Sequence, residues 1–319
     1  MIVKFLVLAL VLISLSSSIV SIKVGNSPSF VLCNSGYIYV TNYNSSTVSV
    51  INPSNNDVVS TISVGAKPID MINVGKKIYV SLTGCNKIDV IEDGKVINTI
   101  NLPSIPYYMA YDCKDNEVFV LEPGIESIAI IENCTVVRTM NLGYSPYAIA
   151  FDPKDCLLYI GSCSNVYVYN TNLKLNKTCN VGGEIAYINF CRRNIFITSW
   201  KTNELIIINS HGTFRFSAGI DPYDAIYVGE YIYVSDIGSG SILVLTTSGK
   251  VVDNISVGGR PSIMMYKDGY IYIVNSLSNT VFVISQVTPP SRYCLYYLIA
   301  GGIAVIAIVG YFILKREIK

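Results

Sequence analysis

The sequence predicts an all-β protein: a seven-bladed β-propeller of four-stranded antiparallel blades, closed by the N-terminal strand, plus one C-terminal transmembrane helix. Three observations predict it. A proline turn recurs at a period of 37 to 40 residues. Each interval but the last holds four short strand-like runs. The last interval lacks one run, and a matching run stands at the other end of the chain. A period near 40 made of short strands means one supersecondary unit per repeat, stacked because no unit buries its own faces.

The chain opens on a secretory pattern. Lys4 gives a positive n-region, Phe5 to Leu15 an apolar stretch, and Ser16-Ser17-Ser18 a small-residue cleavage site. Residues 1–18 are therefore expected to be a signal peptide; the competing reading is an uncleaved anchor, for which the stretch is short.

The repeats follow. The turn reads Val24-Gly25-Asn26-Ser27-Pro28, Val64-Gly65-Ala66-Lys67-Pro68 and Val257-Gly258-Gly259-Arg260-Pro261, with looser copies ending at Pro106, Pro146 and Pro222, and one at Val181-Gly182-Gly183-Glu184-Ile185 that has lost its proline. A first strand follows directly, as in Ser29 to Cys33 or Tyr147 to Phe151. A second carries an aromatic residue in register: Tyr39, Tyr79, Phe119, Tyr159, Phe196, Tyr233 and Tyr272. Runs such as Thr47-Val48-Ser49-Val50-Ile51 and Val58-Val59-Ser60-Thr61-Ile62 supply the third and fourth. Short β-branched and aromatic runs bounded by Asn, Gly and Ser are strand signals, and radial repetition of four-stranded units leaves only short protected edges.

The seventh repeat ends after its third strand, at Thr280-Val281-Phe282-Val283-Ile284, and runs into Pro289-Pro290. Ile19-Val20-Ser21-Ile22-Lys23-Val24-Gly25 matches Val59-Ser60-Thr61-Ile62-Ser63-Val64-Gly65 when the Val-Gly pairs are aligned. The N-terminal strand is thus expected to complete blade seven and to remove an edge that would otherwise pair with another chain.

Tyr39-Val40-Thr41-Asn42, with Val48-Ser49-Val50-Ile51 and Val64-Gly65-x-x-Pro68, resembles the YVTN family of β-propeller repeats, which includes archaeal surface-layer-associated proteins. Tyr79-Val80-Ser81 and Tyr233-Val234-Ser235-Asp236 keep the motif in part. The similarity covers residues 19–286. It implies the propeller fold and a frequent cell-surface location, and no single reaction.

Residues 294–314 form an uncharged 21-residue stretch, long enough to cross a hydrocarbon core of about 30 Å. Tyr293, Tyr296 and Tyr297 suit an outer aromatic belt, and Lys315, Arg316 and Lys319 outweigh Arg292 on the other side, which puts the tail in the cytoplasm. The expected organisation is signal peptide 1–18, propeller 19–286, linker 287–293, transmembrane helix 294–314 and cytoplasmic tail 315–319. A third strand ends on the face that carries the first-to-second and third-to-fourth strand turns. From there the seven-residue linker spans at most about 23 Å, so that face is expected to lie toward the membrane and the opposite one outward.

Exposure outside the cell agrees with four glycosylation sequons, at Asn44, Asn133, Asn176 and Asn254. The formal net charge of +1 with no basic cluster argues against nucleic acid as a partner. Eight cysteines fall in the propeller, with no Cys-x-x-Cys pair, so zinc is not expected. An even number in a secreted chain suggests disulfides: Cys113 with Cys134 and Cys163 with Cys179, each pair on one face of a blade, and Cys156 with Cys191 in neighbouring turns. The alternative is eight packed thiols.

The chemistry expected is binding. The sole histidine, His211, stands in a turn between two strands of blade five, away from the usual ligand face, so a Ser/His/Asp triad is not expected. Two residues past each turn proline, and three past each second-strand aromatic, topology brings side chains to the channel mouth. There stand Asp70, Glu122, Asp224 and Asp236, with Trp200 beside them. They are candidates to hold a polar ligand such as a glycan; the alternative is that they cap backbone amides. No catalytic residue, metal or cofactor is expected. The expected partners are an envelope or surface protein or a glycan, and the membrane through the C-terminal helix. The second reading is an extracellular hydrolase or lyase, lactonase-like and metal-assisted, using those carboxylates.

Overall fold

The computed structural model describes residues 19–285, which form seven four-stranded antiparallel sheets. Blade 1 is Pro28–Asn34, Tyr37–Asn42, Thr47–Asn52 and Asp57–Ser63, each strand paired with the next. Blades 2 to 6 repeat that order, ending at Asn101, Asn141, Asn180, Ser217 and Ser256.

Blade 7 holds Pro261–Lys267, Tyr270–Asn275 and Thr280–Ser285, and its fourth strand is Val20–Lys23 from the chain's beginning. Ile22 pairs with Val281 there, as Ile62 pairs with Val48 in blade 1, and both isoleucines are buried. The register is the one that the aligned Val-Gly pairs require.

Burial explains why the second and third strands read as near-continuous apolar runs. They are covered by the next blade on each side, and Glu117–Glu122 has no exposed residue. Fourth strands alternate weakly or not at all, as in Asp57–Ser63, where only Ile62 is buried. The core lies between blades. One cluster joins Phe119 and Ile130 of blade 3 to Ile149 and Leu158 of blade 4, and another joins Val31 and Ile38 of blade 1 to Tyr272 and Val281 of blade 7. The in-register aromatics supply the largest wedges, and Tyr233, Tyr272, Phe119 and Phe196 are fully buried.

Glycines in the turns ahead of the prolines also have a steric cause. A Cβ on Gly219 would stand 2.0 Å from a carboxylate oxygen of Asp236, and one on Gly259 would stand 2.4 Å from Asn275 Oδ1. Both glycines have positive φ, so a side chain there is excluded twice.

Signal peptide, linker, transmembrane helix and tail all fall outside the described residues, and so does the orientation drawn from the linker. Among the described residues no helix is long and apolar enough to cross a membrane.

The disulfide expectation is corrected. All eight propeller cysteines are free thiols. Cys134 does not face Cys113; its sulfur lies 3.1 Å from the Tyr79 hydroxyl of blade 2. Cys179 packs into the blade 4–5 core while Cys163 stays exposed in its turn. Cys156 packs against the blade 3–4 cluster and Cys191 against the blade 5–6 cluster, so that pair is divided between different interfaces. Sharing a face fixed the end of the blade on which each residue lies, and not its distance from the axis.

Candidate functional site at the channel mouth

The first strands line the ring axis, and a register shift just past the turn proline aims the next residues inward. In blade 2, Pro68 pairs with Leu82 and Asp70 with Ser81, so the ladder skips a residue between them; blade 6 skips likewise between Pro222 and Ala225. What meets at the axis is aromatic. The hydroxyls of Tyr108 (blade 3) and Tyr223 (blade 6) lie 2.5 Å apart. Tyr187 (blade 5) meets Tyr108 edge-on with centroids 5.2 Å apart, and stacks near Tyr223 at 6.1 Å. Tyr187 also packs against both the blade 3–4 and the blade 7–1 cores, so it bridges the ring. These tyrosines plug the mouth. Burial raises the phenol pKa of Tyr108, Tyr187 and Tyr223, which keeps them neutral donors.

Asp70 and Asp224 stand around this plug, buried to 2% and 1% exposure. Asp70 accepts the backbone N–H of Met71 at 2.8 Å and that of Met109, in the next blade, at 2.7 Å. Asp224 repeats the pattern with Ala225 at 2.7 Å and Met264 at 2.9 Å, and Asn189 donates to it at 3.3 Å. Each carboxylate staples its own blade to the following one. Desolvation pushes Asp70 up to about 7 and Asp224 up to about 6, against the lowering pull of those N–H donors.

Glu122 and Asp236 are buried as well. Glu122 accepts the Ser104 N–H and the Ser127 hydroxyl, and burial raises its pKa. Asp236 accepts the Ile220 and Ser239 N–H groups. Asn275 holds the same place in blade 7 and accepts from the Arg260 and Ser278 N–H groups. In blade 7 a neutral amide does there what the carboxylates do in blades 3 and 6. Four carboxylates are thus near the mouth and each is engaged with backbone amides. No group of three or more metal-ligating side chains stands together among the described residues.

Trp200 is different. It lies at 44% exposure in the turn between the second and third strands of blade 5. Ile105, Ile125, Tyr147, Ile220 and Leu277 are exposed on turns of the same face. His211 is exposed in a turn at the other end of blade 5. The four sequon asparagines Asn44, Asn133, Asn176 and Asn254 are all exposed, on turns or outer strands.

Tyr108 stands two residues past Pro106, a mouth position by the repeat rule, whereas Tyr223 and the exposed apolar crown do not follow from that rule. A signal for the plug was present in part: Tyr223 follows the turn proline Pro222 directly, and Tyr108 follows Pro106 by two.

The sheets, their order and the plugged axis define the class: a seven-bladed β-propeller with four-stranded antiparallel blades. Among solved structures the chain is similar to a catalytically inactive histidine-to-alanine variant of virginiamycin B lyase from Staphylococcus aureus with quinupristin, with a TM-score of 0.76 and 14% identity over 85% of this chain and 99% of that one. It is similar to hydrazine synthase of Kuenenia stuttgartiensis (TM-score 0.75, 15% identity, 84% of this chain and 98% of that one). A third is the β-propeller domain of Myceliophteria thermophila Cps50 (Swd1), with a TM-score of 0.72 and 10% identity over 85% of this chain and 100% of that one. At such identities the likeness is one of fold, and these names show how little a propeller by itself says about activity. No family model matches the chain, and no curated protein matches it.

Proposed function

We propose that this chain is a YVTN-type propeller of the cell surface, carried outside the membrane on the C-terminal helix 294–314, and that it serves as a non-catalytic binding or scaffold module for an envelope protein or glycan. One contrast carries the reading. The mouth carboxylates are buried and held by backbone amides, while Trp200 and the apolar residues Ile105, Ile125, Ile220 and Leu277 are exposed on turns of the same face. Exposed large apolar groups gathered on one face mark an interaction surface, and tryptophan is a preferred anchor in such surfaces. The secretory N-terminus, the uncharged C-terminal stretch and the four exposed sequons support the location.

The test is a pull-down with the full-length chain against solubilised envelope, with and without enzymatic deglycosylation of the prey. Specific retention that Trp200→Ala weakens supports the reading, and loss of retention on deglycosylation identifies the ligand as glycan. Equal retention by the wild-type chain and the variant removes this face from the proposal.

The second reading, an extracellular lyase or hydrolase, is favoured by the fold likeness to virginiamycin B lyase and to a streptogramin B lyase. Incubating the chain with quinupristin and with simple lactones, followed by mass spectrometry, tests it. Turnover abolished by Glu122→Gln would replace the binding reading.

A further inference from the structure

Blade 5 departs from five of its siblings in the pairing of its two outer strands, and a pocket stands there. In blades 1, 2, 3, 4 and 6 the pairing of third and fourth strands slips by one residue. In blade 5 it runs unbroken from Glu204↔Ser217 to Asn209↔Gly212. Phe214 and Phe216, two apart on the fourth strand, point to the same side, as Ser60 and Ile62 do in blade 1. The position of Phe214, opposite the fourth residue of the third strand, is Ser60, Asn98, Arg138, Lys177 and Asp253 in those other five blades. Polar residues are what an outer strand calls for, and the closing strand of blade 7 has Val20 there. Only blade 5 places an aromatic ring at this position.

Both phenylalanines line a cavity of about 200 Å³ between blades 5 and 6, together with Phe196, Tyr227, Ile207 and Ile232. Phe196 is buried and Phe214 stands half-open at the lip. The turn after the third strand of blade 6 closes over Phe216 so tightly that a Cβ on Gly249 would fall 1.9 Å from the ring. Asn194, Asn209, His211 and Thr247 form the polar part of the lining. Asn209 is spent on Asn194 and on the His211 backbone N–H, whereas the His211 ring makes one long contact, 3.4 Å from its Nδ1 to the Ser210 hydroxyl.

We propose that this cavity binds a single aromatic ring that carries a hydroxyl, with the ring between Phe196, Phe214, Phe216 and Tyr227 and the hydroxyl toward His211 and Thr247. Size selects the ligand. A cavity of about 150 Å³ lined by apolar side chains holds benzene, and drug-sized ligands need about 300 Å³ or more. Chemistry selects it too, because aromatic walls favour an aromatic guest in edge-on or offset contact. The ring can come from a free phenol or from a tyrosine of a partner chain. The site lies on the far side of blade 5 from Trp200, so it stands or falls apart from the binding face proposed above.

Saturation-transfer NMR on the full-length chain in maltoside micelles tests this, with phenol, N-acetyltyrosinamide, a short peptide with one glycine-flanked tyrosine, and cyclohexanol as probes. Phenol and N-acetyltyrosinamide should receive saturation, and cyclohexanol, of similar size without a π face, should not. Phe214→Ser removes the exposed lip without touching the core and should weaken phenol binding at least about tenfold. Thr247→Trp, which fills the opening, should do the same, with both variants keeping the wild-type melting temperature. A peptide that binds much more tightly than phenol identifies a partner's tyrosine as the source, and equal binding identifies a free phenol. Absence of transfer to every ring, equal transfer to cyclohexanol, or unchanged binding in both variants overturns the proposal.

Discussion

Asp70 and Asp224 show how one side chain can hold two blades. Each accepts one amide from its own strand and one from the next blade, in a place where water cannot substitute. Asparagine keeps the shape but offers one acceptor atom instead of two, so Asp70→Asn strands a buried N–H and should cost about 1–3 kcal/mol in equilibrium unfolding. The pH dependence has a definite sign. Folded values of about 7 and about 6 lie above the ordinary 3.8, so the folded chain binds more protons than the unfolded chain across that window. Stability from these groups is fully present below the unfolded value and is lost as pH rises through the folded values. The melting temperature should therefore fall between about pH 4 and about pH 7, and the Asp70→Asn, Asp224→Asn double variant should flatten that slope. A slope unchanged in the double variant would remove these two carboxylates from the account. The cysteines make a second prediction at this scale. Under non-reducing conditions all eight propeller thiols should alkylate on unfolding, with exposed Cys113 and Cys163 labelled first in the native protein, as read by intact mass and peptide mapping.

The element that matters most for its size is the four-residue strand Val20–Lys23. Within it Ile22 alone is buried, against Val281 and the blade 7–1 core. Ile22→Ala should cost about 2–5 kcal/mol, and Val20→Ala, on the exposed side, should stay within about 0.5 kcal/mol. Deleting residues 19–23 bares the edge of Thr280–Ser285 and should produce aggregation or loss of cooperative unfolding; a truncated chain that stays monodisperse with the wild-type melting temperature would show that closure is not what this strand does. The strand was legible in the sequence because its match to Val59 to Gly65 fixes both register and facing. The unbroken outer hairpin of blade 5 was less legible. Its aromatic residues can be read directly, yet the missing bulge is seen only when pairing partners are known.

For the whole molecule, the ring divides its surface by role. One face carries Trp200 and the exposed apolar turns, the other carries charged turns that include Lys114 and Arg192. Trp200→Ala should weaken capture of the envelope partner in the pull-down, while Lys114→Ala should leave it unchanged; the reverse pattern would move the binding surface to the other face. What the sequence by itself determined is everything that a period can carry: seven repeats, four strands in each, aromatic wedges in register, glycine turns, and closure by the first strand. Such features are local or recur at fixed spacing, so a one-dimensional pattern contains them. Tertiary structure alone decided what faces what across a blade boundary. Asp70, Glu122, Asp224 and Asp236 stand where the repeat places them, but only the neighbouring chain turns them from ligand candidates into caps on Met109, Ser104, Met264 and Ile220. Cys134 shares an end of its blade with Cys113, but the Tyr79 hydroxyl of another blade takes its sulfur. Contacts of this kind depend on distance from the ring axis and on side-chain direction, and repeat spacing contains neither.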